Sequence, residues 1–417
     1  MKLLLINKFF FHKGGAERVF FDEKSILESR GNSVIPFSMK HSKNIQSKYE
    51  HYFVSNINYN NRGVLNASYS TGRLLYSFQA RRKIETLIKQ EKPDIAHLHN
   101  IYHQISPSIL HSLKKHKIPV IMTLHDYKLV CASYSMITND GICEACKKGK
   151  YYNCYQKSCV KNSRAKSLLS TIEMYLHHNL LHIYNLVNIF ISPSKFLIDR
   201  FHKMGFKRQI EYLPNFVEPN EFDPEYDNEG RFIVYFGRIS KEKGLITLIR
   251  AMQKLPDITL KIIGEGPLRG YVESEVKNLG LTNIKLLGYK AGDELKDIIR
   301  NCMFVVVPSE WYENNPRSAI ESFALGKPVI GASIGGIPEL VRHGETGLLF
   351  ESGNVEDLRA KIEYLVAHMD EIVRMGKDAR KFVEQELNEE KHYDELMRIY
   401  QKAIEKNRNN QNKQVAN

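Results

Sequence analysis

The stretch ENNPRSAIESFALGKPVI, residues 313–330, places two carboxylates, Glu313 and Glu321, eight positions apart around an Asn-Asn-Pro. Pro316 suits the first turn of a helix, where its missing N–H costs nothing, and Asn315 suits the cap of that helix. The amides and the positive dipole end of such a helix favour a phosphate. Glu321, about a turn and a half on, can accept two hydrogen bonds from vicinal hydroxyls such as those of a ribose, which leaves Glu313 nearer the ligand's other end. On spacing alone, two glutamates are better explained as solvated loop and helix charges. YFGRISKEKG adds weight: it supplies Arg238 and Lys243, two cations five apart in a loop that leads from a strand into a helix. Such a pair can neutralise a diphosphate and stabilise its charge as it leaves. The joint pattern suggests a sugar nucleotide held at both ends.

The first half offers weaker signals. Gly14 and Gly15 follow the first apolar run and precede AERVFFDEKSILESRG. They read as a simple turn or as a place where backbone approaches a phosphate closely. His125 ends the strand-like IPVIMTLH, where a lone histidine is commonly a structural hydrogen-bond partner. His97 and His99 alternate along AHLHN and lack an evident third ligand, which favours a structural role over a metal site. Cys143, Cys146, Cys154 and Cys159 form a C-x-x-C followed by a C-x-x-x-x-C. Reducing conditions would disfavour disulfides there, so the alternatives are a structural zinc site, which we favour, and free thiols.

The elements that must position these groups follow from length and pattern. At 417 residues the chain exceeds one ordinary core. A hydrophobic fraction of 42% with 26% charged residues fits a globular protein, and no apolar run approaches the length of a membrane span. The start, MKLLLINKFF, reads as a buried strand rather than a signal peptide, because Lys8 interrupts it and no small-residue cleavage site follows. The expectation is therefore a cytoplasmic protein. Strands are predicted near 2–7, 33–38, 94–98, 118–124 and 188–192. Six more are predicted at RFIVYFG, ITLKIIG, NIKLLGY, MFVVVPS, KPVIGAS and GLLFE. Alternation with helical patterns indicates α/β architecture, two doubly wound parallel sheets with a ligand cleft between their carboxyl ends. Residues 212–230, rich in Pro, Asn and Asp, read as a linker. The predicted domains are 1–215, with a basic Cys-rich insertion about 130–170, and 216–390. A terminal helix and disordered tail are predicted over 391–417. Charge divides similarly: residues 1–215 hold 32 Lys and Arg against 14 Asp and Glu, whereas 216–417 hold 28 against 33.

With these pieces together the chain resembles glycosyltransferase family 4, retaining nucleotide-sugar transferases of the GT-B fold. The resemblance rests on GRISKEKG (237–244), IIGEGPLRG (262–270), LLGY (286–289), VPSEWYENNPRSAIESFALGKPVI (307–330) and GGIPELVRHGETGLLFESGN (335–354). HKGGAERV (12–19) and TLHDYKLVC (123–131) match more weakly. It implies that Glu313 contacts the donor sugar, Glu321 the ribose, and Arg238 and Lys243 the diphosphate. It also places Gly14, Gly15, Tyr289, Asn315 and Pro316 among the donor-binding positions. His125 becomes a catalytic residue hydrogen-bonded to the donor sugar, with Asp126 as its orienter. Many family members carry Gly-Phe-Gly after the first glutamate, where this chain has Asn314, Asn315 and Pro316. The resemblance therefore implies no contact from that loop's backbone to the sugar beyond those of Asn315 and Pro316. The chain has no Asp-x-Asp, the motif with which transferases of the other major fold hold a divalent ion, so Arg238, Lys243 and helix amides are expected to replace the metal.

The function implied is retaining, metal-independent transfer of a sugar from a UDP- or GDP-sugar to a glycan acceptor, with no cofactor beyond a structural zinc. The basic first half suggests a lipid-linked acceptor at the inner face of the cytoplasmic membrane, in capsule, lipopolysaccharide or similar synthesis. Arg73, Arg81, Arg82 and Lys83, beside Leu74, Leu75, Phe78 and Ile84, are candidate contacts to anionic lipid, with the insertion; packing of that helix on the domain is the alternative. Two rival functions are a sugar-nucleotide epimerase of the same architecture and a nucleic-acid binder using the basic insertion. Neither accounts for the motif set of the second half as well as transfer does, and no nucleic-acid partner is expected.

Overall fold

The computed structural model describes residues 1–56, 71–138, 140–226 and 230–415, which divide into two compact units. The first comprises Met1–Pro193, Leu197–Leu213 and Tyr393–Asn417. Its strands are β1 (Lys2–Ile6), β2 (Ser33–Phe37), β3 (Ile95–Leu98), β4 (Val120–Thr123), β7 (Ile189–Ser192) and β8 (Ile210–Tyr212), with a short hairpin, β5 (Ile137–Thr138) and β6 (Gly141–Ile142), inside the insertion. All pairings in the six-stranded sheet, ordered β2-β1-β3-β4-β7-β8, are parallel. Continuous burial along β3, β4 and β7 is the signature of a sheet covered on both faces.

The second unit comprises Ser194–Phe196 and Pro214–His392. It is built on β9 (Phe232–Phe236), β10 (Thr259–Ile263), β11 (Ile284–Gly288), β12 (Val305–Val307), β13 (Val329–Ala332) and β14 (Gly347–Phe350), parallel throughout in the order β11-β10-β9-β12-β13-β14. In each sheet the chain first moves to one side of a central strand and then crosses to the other. The crevice opened there, at the carboxyl ends of β1 and β3 and of β9 and β12, is where ligands of such sheets bind.

All eleven strands expected from the sequence form. The linker and tail assignments are corrected. Pro214 opens the second unit, and Val217 and Phe222 are buried in its core, so the stretch from 214 to 226 packs as part of that unit. Residues 227–229 lie outside the described residues. The tail read as disordered continues the helix Glu389–Val415, and Tyr393 onward belongs to the first unit. Leu396, Ile399, Tyr400 and Ala403 recur at helical spacing and are fully buried, while Asn407 donates to the carbonyl of Lys117 at 2.8 Å. This apolar stripe anchors the predicted terminal helix, and Asn407 carries its docking into the stretch read as a disordered tail. Ile399→Ala should therefore lower stability by about 2–5 kcal/mol, measured by urea unfolding.

Candidate active site

In the second unit, the loops after β9 and β12 meet at the switch point. Gly244 closes the first loop at φ +65°, and a Cβ there would stand 1.8 Å from the carbonyl oxygen of Pro308. Only glycine lets the two loops come together in this way. The approach brings Lys243 against Glu313: the ammonium donates to Oε1, and Ser309 Oγ donates to the same oxygen at 2.7 Å. Glu313 is 5% exposed. Burial alone would raise its pKa, but the charge of Lys243 and these hydrogen bonds hold it below the ordinary carboxylate value. The Lys243 Nζ also lies 5.4 Å from the centre of the Trp311 ring. On its far side the Glu313 backbone is backed by Gly335 and Gly336, whose N–H donates to the Glu313 carbonyl at 2.7 Å. Arg238 stands in the loop from β9 with its side chain exposed, its carbonyl accepting from Tyr235 Oη at 2.8 Å. Tyr289, just beyond β11, is 71% exposed.

The helix after the Asn-Asn-Pro begins one residue later than expected. It spans Arg317–Ala324 with Pro316 at its cap, and no side chain caps it. Asn315 instead accepts from the backbone N–H of Asn215 at 3.1 Å and receives the Asn215 amide on its carbonyl at 2.8 Å. Asn314 accepts from Ser194 Oγ at 2.6 Å. Both asparagines clamp the loop to its own unit. Glu321, on the following turn, accepts from Arg317 Nε at 3.3 Å, and Arg317 donates in turn to the carbonyl of Phe216.

In the first unit, Gly14 is the cap of the helix Gly15–Ser29, and no atom would meet a Cβ on Gly15 within 4 Å. His125 follows β4. Its Nε2 lies 2.9 Å from His99 Nδ1, and His99 Nε2 lies 3.4 Å from Glu23 Oε2. Asp126 is not the orienter: it accepts from the N–H of Lys128 at 2.9 Å. His97 has both ring nitrogens engaged, Nδ1 with Tyr400 Oη at 3.0 Å and Nε2 with Thr123 Oγ1 at 2.7 Å. Glu23, His97 and His99 do offer donor atoms within 4.8 Å of one another, but a metal there would have to displace Tyr400 from His97. Burial, and secondarily the neighbouring His99, push the His125 pKa well below its usual value, which keeps the ring neutral.

The model named Glycosyltransferase Family 4 matches residues 13–221, and that named Glycosyl transferases group 1 matches 217–382. The chain belongs to glycosyltransferase family 4. An uncharacterized glycosyltransferase of Methanocaldococcus jannaschii is 29% identical over 74% of this chain and 75% of its own. An uncharacterized 42.6 kDa protein in the cps region of Klebsiella pneumoniae is 30% identical over 64% and 65%. Among solved structures, Anabaena HepE in complex with UDP and glucose superposes with a TM-score of 0.69 at 18% identity, covering 96% of this chain and 99% of that one. The fold is GT-B.

Two groups in this family 4 transferase escaped the sequence reading. Glu23 lies on the buried stripe of its helix with Val19, Phe20, Ile26 and Leu27, and a carboxylate at such a position is the available signal. The second is Lys128–Glu173, an ion pair of 2.7 Å with side chains 1% and 0% exposed. It pins the loop carrying His125 to the helix Arg164–Tyr175. The cysteines are neighbours: burial and the charges of Cys131, Cys159 and Cys143 push the Cys146 thiol up to about 12, and the Cys159 backbone N–H donates to the carbonyl of Cys154 at 3.1 Å. Cys131 thus joins the four expected residues. Among the described residues, no three cysteine sulfurs come within 4.8 Å of one another as the donors of Glu23, His97 and His99 do, so the thiols are neighbours without a closed ligand set. Of the candidate lipid contacts at 73–90, Arg73, Leu74 and Ile84 are buried, Arg81 donates to Tyr76 Oη, and Lys83 donates to the carbonyls of His51 and Phe53, whereas Phe78 and Arg82 are exposed. That helix packs on its domain.

Lys128→Met should cost about 3–5 kcal/mol near neutral pH by stranding a buried carboxylate. Attraction to Lys128 and His103 outweighs burial and depresses the Glu173 pKa, so the pair stabilises above the ordinary carboxylate range and its contribution is lost as pH falls through the folded value. The deficit of the variant, followed by chemical denaturation, should accordingly shrink on acidification as Glu173 takes up a proton.

Proposed function

We propose that this chain is a retaining transferase that moves a hexose-type residue from a UDP- or GDP-sugar to a hydroxyl of a lipid-linked glycan in cell-surface polysaccharide synthesis. The observation that carries the reading is the Lys243–Glu313 pair at the switch point of the second sheet. A carboxylate kept ionised in a buried site suits a donor-sugar contact, and the adjacent ammonium, with Arg238, suits the diphosphate. Glu321 takes the ribose, and the backbone amides opening the helix at Arg317 take phosphate oxygens. Two cations and helix amides supply the charge stabilisation that a metal gives elsewhere, so the transfer is metal-independent. Departure and attack occur on one face, the leaving diphosphate helping to deprotonate the acceptor. HepE, bound to UDP, and the Klebsiella relative from a cps region support the donor class and the pathway.

The acceptor side is the basic first unit. No helix among the described residues is long and apolar enough to cross a membrane. The surface that suits anionic lipid is the insertion, where Tyr152, Tyr155, Leu168 and Ile172 are 45%, 40%, 44% and 47% exposed among Lys150, Lys157, Lys161, Arg164 and Lys166. Leu168 and Ile172 stand four apart on one helix, a spacing that puts both on one face. Within the insertion, zinc would be held by Cys143, Cys146, Cys154 and Cys159, or with Cys131 in place of one of them, and would serve stability rather than transfer.

Glu321→Ala should weaken UDP or GDP binding by about 1.5–3 kcal/mol in calorimetry, while Glu313→Gln should lower turnover and leave free nucleotide affinity nearly unchanged. Product should require both donor and acceptor; an altered nucleotide sugar made without acceptor would identify an epimerase instead. Turnover should survive chelation of divalent ions.

Sedimentation with anionic vesicles should fall steeply with salt and be lost when Leu168 and Ile172 become Glu, whereas equal binding to neutral vesicles, or none, would indicate a soluble acceptor. Elemental analysis of freshly reduced protein should find about one zinc per chain, removed by Cys143→Ser with Cys146→Ser.

A further inference from the structure

His125 touches another imidazole, and that contact determines which of its nitrogens carries the proton. The rings of His99 and His125 are 18° from coplanar with centroids 5.1 Å apart, and the joining nitrogens are 2.9 Å apart. The centroid separation is close to the nitrogen separation plus the two ring radii, so the rings meet edge to edge and share one hydrogen bond. One nitrogen donates and the other accepts.

The far side of His99 decides between them. Its Nε2 is buried, makes no hydrogen bond, and stands 3.4 Å from Glu23 Oε2. A carboxylate only accepts when it is ionised, and Glu23, taken in that form, favours a proton on His99 Nε2 and repels a lone pair there. With Nε2 protonated, neutral His99 presents a lone pair at Nδ1, and His125 Nε2 must donate to it. The other groups around the pair do not reverse this order. His97 Nδ1 faces the same carboxylate oxygen at 3.4 Å but is bonded to Tyr400, Phe20 offers only its ring edge or face to His99, and Asp126 is turned to the Lys128 amide. Through charge, Glu23 favours a second proton on His125 while His97 and Lys8 disfavour it, and burial and His99 outweigh Glu23 to keep the ring neutral.

We propose that Glu23 and His99 are positioning residues that lock His125 as a neutral ring protonated on Nε2, leaving Nδ1 as an acceptor for a hydroxyl of the donor sugar. The assignment of that acceptor to the sugar rests on the function proposed above; the tautomer does not. Its chemical value is clear for a transfer in which positive charge develops on the sugar ring: a neutral lone pair orients the sugar hydroxyl without bringing a cation beside that charge.

The test uses the full chain labelled with nitrogen-15 in histidine, with the His125 signals assigned by their loss in His125→Gln. At about pH 7 the His125 ring should show a protonated Nε2 and an unprotonated Nδ1. Asp126→Asn should leave this pattern in place. Glu23→Gln substitutes a side chain that can donate as well as accept, and should shift His125 toward the Nδ1-protonated form. The same variant should lower kcat about tenfold or more, as expected for a misplaced proton, with nucleotide affinity changed less than about twofold. A wild-type His125 protonated on Nδ1 overturns the proposal, whether or not the variant folds. So does an unaltered tautomer in folded Glu23→Gln, or a chelator that moves the His99 and His125 signals, which would place a metal between Glu23 and His99. The correct tautomer in a protein without transferase activity would uphold the relay and reject only its link to the sugar.

Discussion

The buried carboxylate of Glu313 is the constraint around which the second unit is arranged. Taking a carboxylate out of water costs several kcal/mol, and the cost is recovered only where a cation and hydrogen-bond donors are placed on it with little freedom. Lys243 and Ser309 are so placed because the loops after β9 and β12 are drawn together at Gly244, where a side chain would collide with a carbonyl. The first unit follows the same logic with other residues. Lys128 and Glu173 form a buried pair just past the end of β4 and fix the loop that bears His125. Hydrophobic residues of equal volume would hold the backbone as well or better, so the retained charges fit groups whose position and ionisation are needed.

The strands were legible because parallel sheets covered on both faces require unbroken apolar runs, and runs such as MFVVVPS or KPVIGAS have no competing helical period. What was missed lies where that signal fades. β8 is three residues long at a sheet edge, and each of them is only partly buried, so Ile-Glu-Tyr carries no apolar run. The segment at 214–226 has the composition of a linker, yet Val217 and Phe222, five apart among Pro, Asn and Asp, are enough to dock it. Only the last turns of the final helix were obscured, by their Asn- and Lys-rich composition; the helix is anchored by four buried residues between 396 and 403, and Asn407 is buried beyond them. Composition averages over faces, and burial does not.

The candidate site divides along the same line. Lys243 and Glu313 could be found because loops at strand ends are short and their charges have few structural uses. His99 was singled out but given a structural role, and Glu23 could not be found in that way, since it occupies a position that its helix reserves for the core; only the fold shows that the two meet. The cations of 73–90 show the opposite case, since Arg73, Arg81 and Lys83 are engaged within the domain. A basic, amphipathic sequence says which residues share a face but not whether carbonyls lie beneath them, and Lys83 is satisfied by two.

The Asn-Asn-Pro that replaces the glycine-rich segment of many relatives has a physical consequence for the chemistry of the loop. Glycines would leave it pliable, with amide groups open to a sugar. Here Asn314 and Asn315 spend their side chains on Ser194 and Asn215, and Pro316 removes one N–H and fixes a backbone angle. A loop tied at both asparagines loses less entropy when a donor binds and tolerates fewer donor shapes. If Glu313 meets the donor sugar as proposed, this rigidity acts on the end of the donor that distinguishes one sugar from another, while the proposed ribose and diphosphate contacts at Glu321, Arg238 and Lys243 are indifferent to the sugar. On that proposal, selectivity for the donor sugar belongs to the clamped loop, and affinity for the nucleotide to the groups on either side of it.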